Sequence, residues 1–251
     1  QPLVVDELEF IRSHTSRKIK VTLPAPFIIG RRMWHPDYSK KAYPFREKFM
    51  EDCVPILRKE IMKLRDAGAN TIQLDEPWLA TTVDPNFCRK EGIENPAYEA
   101  DRCVDLVNQV VDDIPGVKTG MHLCHAHFTR EHGWSGSYEP IMPALGKVRV
   151  STVSMEYATP VSGGVKSLAL FPEGPRLGLG CIDHCNPSVE TQEKVVKRVE
   201  EAMQYVDKSR ITLHPDCGFA PSVQNPMNLD EAYLKLKSMC AAADRLRKVH
   251  G

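Results

Sequence analysis

Gly120-Met121-His122-Leu123-Cys124-His125-Ala126-His127-Phe128 sits at the centre of a repeating pattern, and the architecture is read outward from it. Val117 to Cys124 reads as a β-strand. Residues two apart on a strand point to the same side, so His122 and Cys124 project together. A His-x-Cys pair has two readings, a metal clamp or a cysteine packed as a small hydrophobe. His125 and His127 beside the clamp read either as supporting or spare ligands or, for one of them, as an ordinary strand or loop histidine pointing outward, and the outward case is the one expected. The other strands must decide what the pair is for.

Upstream, Asp6 to His14 reads as a helix and Lys18 to Leu23 as a strand that stops at Pro24 and Pro26. Gly30 to Tyr43 reads as a long loop carrying Arg31, Arg32, Lys40, Lys41, Trp34 and Tyr38. Its basic residues either attract an anionic substrate tail or are simply solvated. Phe49, Cys53, Ile56, Leu57, Ile61 and Leu64 recur at helical spacing and end at Gly68. Thr71 to Asp75 is a strand, and Val104, Leu106, Val107, Val110 and Val111 mark a helix.

Downstream, Val148 to Glu156 and Arg176 to Ile182 are strands. Asn186 as N-cap with Pro187 at the first helical position predicts a helix start, carrying Val195, Val196, Val199, Ala202, Met203 and Val206 inward. Ile211 to Leu213 is the last strand. Asn228 opens a final helix in a capping-box pattern, with Leu236, Met239, Cys240 and Ala243 inward. Short apolar strands alternating with amphipathic helices imply parallel strands and right-handed crossovers. The expected fold is an α/β, (β/α)8 TIM-barrel type in one domain over residues 1–251, with six units visible and the first two absent. The chain begins at Gln1, and the expectation is that an N-terminal part of about 100 residues, judged from ordinary barrel length, is absent or that closure occurs in another way. A second copy or a partner chain is one way to supply the missing units.

Composition narrows the function classes. Lys+Arg and Asp+Glu stand at 33 each, so no overall basic field points to nucleic acid or an anionic membrane. No run of about 18 apolar residues offers a membrane span, and the N-terminus lacks a signal-peptide pattern, so a soluble cytoplasmic protein is expected. Eight cysteines in 251 residues are too sparse for a disulfide scaffold. Cys53, Cys103 and Cys240 sit in apolar helical patterns and read as reduced core residues.

The polar residues that interrupt the apolar strands lie at their C-terminal ends: Asp75 and Glu76, His122 and Cys124, Glu156, Asp183, and Cys217 just beyond the last. In a barrel those ends share the face where active sites form. Two thiolates, an imidazole and a carboxylate from His122, Cys124, Glu156 and Cys217 suit Zn²⁺, and sulfur argues against Mg²⁺ or Ca²⁺. Ligands drawn from separate strand ends at a pocket face favour a catalytic site over a structural one.

Leu74-Asp75-Glu76-Pro77, His122-Leu123-Cys124, Ser154-Met155-Glu156-Tyr157 and Pro215-Asp216-Cys217-Gly218-Phe219 together resemble the catalytic C-terminal barrel of cobalamin-independent methionine synthase. The closer resemblance is to its short single-barrel relatives. It implies zinc on His122, Cys124, Glu156 and Cys217, a homocysteine-like thiol entering the metal shell, and methylation from a methyltetrahydrofolate-type donor. It further implies that Asp75 holds the amino acid's ammonium group, with Glu76 also contacting substrate. The family's proton-transferring histidine falls, without a gap, on Cys185, and His184 beside it is the candidate. Thr81 stands where the family has a folate-contacting Glu. Trp34 and Trp78 are the candidates for the pterin-stacking Trp. Two alternatives remain open: zinc-dependent alkyl transfer with another pair, a corrinoid methyl donor or coenzyme M, and a non-catalytic zinc-binding fragment.

Overall fold

The computed structural model describes residues 3–219 and 224–251. Helix α1 (Val5–His14) leads to strand β1 (Lys20–Pro24). Pro26 does more than end the strand: it is the first residue of α2 (Pro26–Met33), and Pro36 likewise opens α3 (Pro36–Ser39). Much of the stretch expected as a loop is therefore helical, because proline's fixed φ and missing N–H suit a helix's first position. Helix α4 (Arg46–Asp66) follows. Its buried stripe is Met50, Val54, Leu57, Ile61 and Leu64, with Ile56 exposed and Cys53 half-buried. Gly68 at φ +92 then supplies the left-handed turn after it.

Strand β2 (Thr71–Asp75) is followed by a 3-10 segment (Pro77–Val83) and helices α5 (Pro85–Glu91) and α6 (Pro96–Val111). Strand β3 (Lys118–Leu123) ends one residue before Cys124, and a two-stranded hairpin, β4 (His127–Phe128) and β5 (Glu131–His132), follows it. A short α7 (Met142–Leu145) precedes β6 (Thr152–Glu156), which starts later than expected. Next come β7 (Arg176–Ile182), α8 (Gln192–Ala202), β8 (Ile211–Pro215) and α9 (Leu229–His250).

All six long strands pair in parallel in the order β1-β2-β3-β6-β7-β8, six consecutive strands of the expected barrel type. Consecutive positions are buried along β2, β6 and β7, as when both faces of a parallel sheet are covered. Ile72, Leu74, Met121, Leu123, Val153, Met155, Leu177 and Leu179 are all within 1 % of full burial. Each such side chain contributes about 1.5–3 kcal/mol. They pack in one core with the inward stripes of α4, α6 and α8.

Two helix expectations need correction. Helix α8 starts at Gln192 with Thr191 as N-cap, not at Pro187. Asn186 instead accepts the Ser188 N–H, while Asp183 accepts those of Cys185 and Asn186. The Asn-Pro signal thus belongs to a loop of side-chain turns. In α9, Asn228 does cap the helix through Glu231 N–H at 2.8 Å. Its buried residues, however, are Lys235, Ala242 and Leu246, while Leu236 and Cys240 are exposed. Lys235 points inward because three carbonyls wait there: Asp183, Asn186 and Ser188 each accept from Nζ, at 2.7, 2.7 and 3.0 Å. No helix among the described residues is long and apolar enough to cross a membrane.

Candidate metal centre

Parallel register brings the strand ends level: Asp75 pairs with His122, and Glu156 with Gly180. Cys124 follows β3 directly and Cys217 lies two residues beyond β8, so both approach from neighbouring loops. Asp216 ties the rim together. Its buried carboxylate accepts the N–H groups of Tyr157 and Ala158, linking the segment before Cys217 to the one after Glu156. A Cβ at Gly180 would run into that carboxylate, so only glycine leaves room for it there.

His122, Cys124 and Cys217 place their ligating atoms within 4.8 Å of one another. Both thiols are free, and their sulfurs stand 3.8 Å apart. Two sulfurs bound at about 2.3 Å on a tetrahedral ion are separated by about 3.8 Å, so the observed spacing is a tetrahedron's edge. Glu156 groups with Cys124 and His127 instead. Its Oε2 accepts from the backbone N–H of His125 at 3.0 Å and lies 2.9 Å from that imidazole's Nδ1. The far side of the His125 ring meets the Gly136 carbonyl at 3.1 Å.

Both His125 and His127 therefore face inward, contrary to the expectation that one would be solvent-facing. Strand alternation stops at Leu123, and Ala126 takes a left-handed φ of +41. The chain folds back there and returns His127 to the cluster. The signal in the sequence was the run of imidazoles itself; two-residue periodicity no longer applied to it.

The charges interlock. The hydrogen bond with Cys124, together with the His122 and His127 imidazoles, holds the Cys217 thiol well below its usual range despite opposing burial. The same sulfur pairing, and then burial, push Cys124 well up. Burial is the largest single effect on His122, yet Cys217, Asp75 and Glu156 together lift it above its ordinary value. Burial opposes ionisation of Glu156, but His125 and His127 outweigh it and hold the carboxyl down to about 2.

The remaining expected site residues divide. Asp75 accepts from Gln73 Nε2 at 2.7 Å, and Lys20 reaches the same amide's oxygen at 2.9 Å. Burial raises the Asp75 carboxyl against the pull of His122. Trp78 and His184 line a cleft of about 170 Å³ with His127, Trp134, Cys124 and Cys217. Trp134 was not anticipated; it packs edge-on to Trp78 with ring centroids 5.5 Å apart. Trp34 does not line this cleft, and its Nε1 donates to the Tyr43 carbonyl. His184 is almost wholly buried, and burial with the neighbouring His127 holds it down to about 4. Thr81 is buried and its hydroxyl donates to the Trp78 carbonyl. A larger apolar cavity, between α8, α9 and the starts of β7 and β8, lies away from all these groups.

Glu76, expected to contact substrate, sits behind the rim and holds α2. It is fully buried, and its Oε2 accepts the Ile28 N–H in the first turn of α2 at 3.0 Å. Burial lifts its carboxyl from 4.5 to about 8. Over that window the folded chain keeps a proton the unfolded chain has released. The stability this group contributes is full below about pH 4.5 and is lost as pH rises through about 8. Glu76→Gln mimics the neutral acid, so its melting temperature should fall less than the wild type's as pH is raised from about 7 to 9. Parallel melting curves for the two proteins over that range would refute this assignment.

The family model described as the catalytic domain of cobalamin-independent synthase matches residues 7–245. This chain belongs to that family. Curated relatives of this family member include the methionine synthases of Pyrococcus abyssi and Thermococcus kodakarensis, each 28% identical over 249 residues and 99% of this chain. The chain spans 63% of the length of each. A solved B12-independent methionine synthase from Shewanella sp. W3-18-1, in complex with selenomethionine, superposes with a TM-score of 0.77 at 24% identity. That match covers 99% of this chain and 67% of the other. A putative vitamin-B12 independent methionine synthase from Listeria monocytogenes gives 0.64 at 20% identity, over 96% of this chain and 69% of that one. At such identities the two structures speak for the fold, and the six parallel strands correspond to barrels of this type.

Proposed function

We propose that this cobalamin-independent synthase family member is a zinc-dependent methyltransferase. In this reading His122, Cys124 and Cys217 hold the ion with Glu156 at the fourth corner, and a homocysteine-like thiol is methylated by a methyltetrahydrofolate-type donor. The observation that carries it is the 3.8 Å separation of two reduced sulfurs beside an imidazole at the strand ends. When bound, zinc supplies the Lewis acidity that holds an incoming thiol in its deprotonated, nucleophilic form.

The chain's own residues do the rest. Asp75 sits at the same rim with its negative charge disfavoured by burial; an amino acid's ammonium group would relieve that penalty. Trp78 and Trp134 offer aromatic faces for a flat donor ring in the cleft next to the sulfurs. His184 lines that cleft with Nδ1 unpartnered among the described residues. Burial and His127 favour its neutral form, and in this reading that imidazole relays a proton towards a leaving nitrogen.

A second reading concerns the donor and thiol pair. Thr81 is buried and bonded to Trp78, so no carboxylate stands where the family meets folate; a corrinoid-bound methyl group or another thiol pair, such as coenzyme M, fits that change. Zinc K-edge absorption with and without homocysteine tests the main reading. One further sulfur neighbour on adding the thiol is expected. An unchanged shell of four protein ligands would mean that the ion is structural and the catalytic assignment wrong.

A further inference from the structure

His127 has no part in the ligand set above, yet it is built into the same cluster. Its side chain is 3% exposed, and Nε2 lies 2.8 Å from Glu156 Oε1. Beyond this contact neither atom has a hydrogen-bond partner among the described residues. A ring nitrogen of His127 lies within 4.8 Å of the Cys124 sulfur and of the Cys217 sulfur in separate groupings. Nitrogen and oxygen donors bound at about 2.0–2.1 Å to one tetrahedral ion stand about 3.3 Å apart. At 2.8 Å, His127 Nε2 and Glu156 Oε1 are too close to be two corners and instead address one. Glu156 is already committed to His125 through its other oxygen.

The backbone around His127 supports the same point. Ala126, Thr129 and Arg130 take φ values of +41, +56 and +65, a region that non-glycine residues rarely adopt. Arg130 holds this turn by a two-pronged ion pair with Glu231 at 2.9 and 2.8 Å. It also donates to the Asn225 and Pro226 carbonyls, at 3.1 Å each. A strained hairpin pinned to the first turn of α9 thus delivers a buried imidazole to the sulfurs and to Glu156.

We propose that His127 is a second donor for the fourth corner of the metal site, exchanging with Glu156, and that Arg130 is the positioning residue that keeps it in reach. This rests on the zinc reading. The corner is then never vacant when the carboxylate leaves it, and an entering thiol meets a neutral, exchangeable ligand in place of an anionic one.

The test is zinc affinity by chelator competition, with the zinc absorption spectrum read for imidazole, on Glu156→Gln, His127→Gln, the double variant and Cys217→Ser. Each corner variant alone should lose less than about tenfold in affinity and the double more than about a hundredfold, the non-additivity of two donors that replace each other. The Glu156→Gln spectrum should show two imidazoles, from His122 and His127. Arg130→Gln should weaken zinc binding in the Glu156→Gln background and not in the wild type, a dependence that a purely structural role would not produce. A single imidazole in Glu156→Gln overturns the proposal even if the His127 variants fail to fold. So does a double variant that binds as tightly as Glu156→Gln alone. Full binding by Cys217→Ser would instead overturn the zinc reading, and this proposal with it.

Discussion

On the zinc reading proposed above, Cys217→Ser is expected to weaken zinc binding by about a hundredfold or more, to lower the proposed methyl transfer with it, and to leave the folded state nearly as stable. Thiolate and imidazole sites bind zinc with about 10–16 kcal/mol. One ligand of four accounts for about 3 kcal/mol on that scale, about two decades in affinity. A serine hydroxyl cannot replace the sulfur, because it stays protonated where a thiol ionises. Here ionisation of Cys217 is further favoured by its bond with Cys124 and by His122 and His127. The residue lies beyond the end of β8 and is half-buried, outside the main apolar core. Its loss should therefore cost little packing. Chelator competition gives the affinity and metal-free circular dichroism melting gives the stability. Undiminished affinity in the serine variant would take Cys217 out of the site.

Lys235→Met should destabilise the fold by about 3 kcal/mol or more, although it replaces a charge by an apolar chain of similar length. The Lys235 side chain is 0% exposed, and its ammonium group donates to three carbonyls of one loop. Methionine would take the shared donor from all three carbonyls, at about 1–3 kcal/mol for each one left unsatisfied. The loop they belong to carries His184 to the cleft. The variant should therefore show faster amide exchange at 183–188 as well as a lower urea midpoint. A variant within about 1 kcal/mol of wild type would mean that water or loop rearrangement replaces the lysine.

The alternation of apolar strands and amphipathic helices was legible in the residues because each element's burial follows its own local period. The four motifs at the strand ends were legible for a related reason. In a parallel α/β sheet, polar residues interrupting apolar strands collect at one rim, so position along each strand foretells position in space. The helices at Pro26 and Pro36 were missed because proline marks both an end and a beginning, and which one prevails depends on the elements packed around it.

Other features were set by tertiary structure alone. His127 enters the cluster through left-handed turns held by Arg130 and Glu231, residues far apart along the chain. Glu76 turns from a strand-end polar group into a buried cap because α2 folds over it. Lys235 faces inward, against its helix's apolar pattern, because loop carbonyls require a donor there. Composition and periodicity by themselves determined the sheet, its direction and the rim where chemistry gathers. Which side chains at that rim meet, and at what distance, was decided only by long-range contacts, since hydrogen bonds and ligand geometry depend on ångström separations that no local pattern encodes.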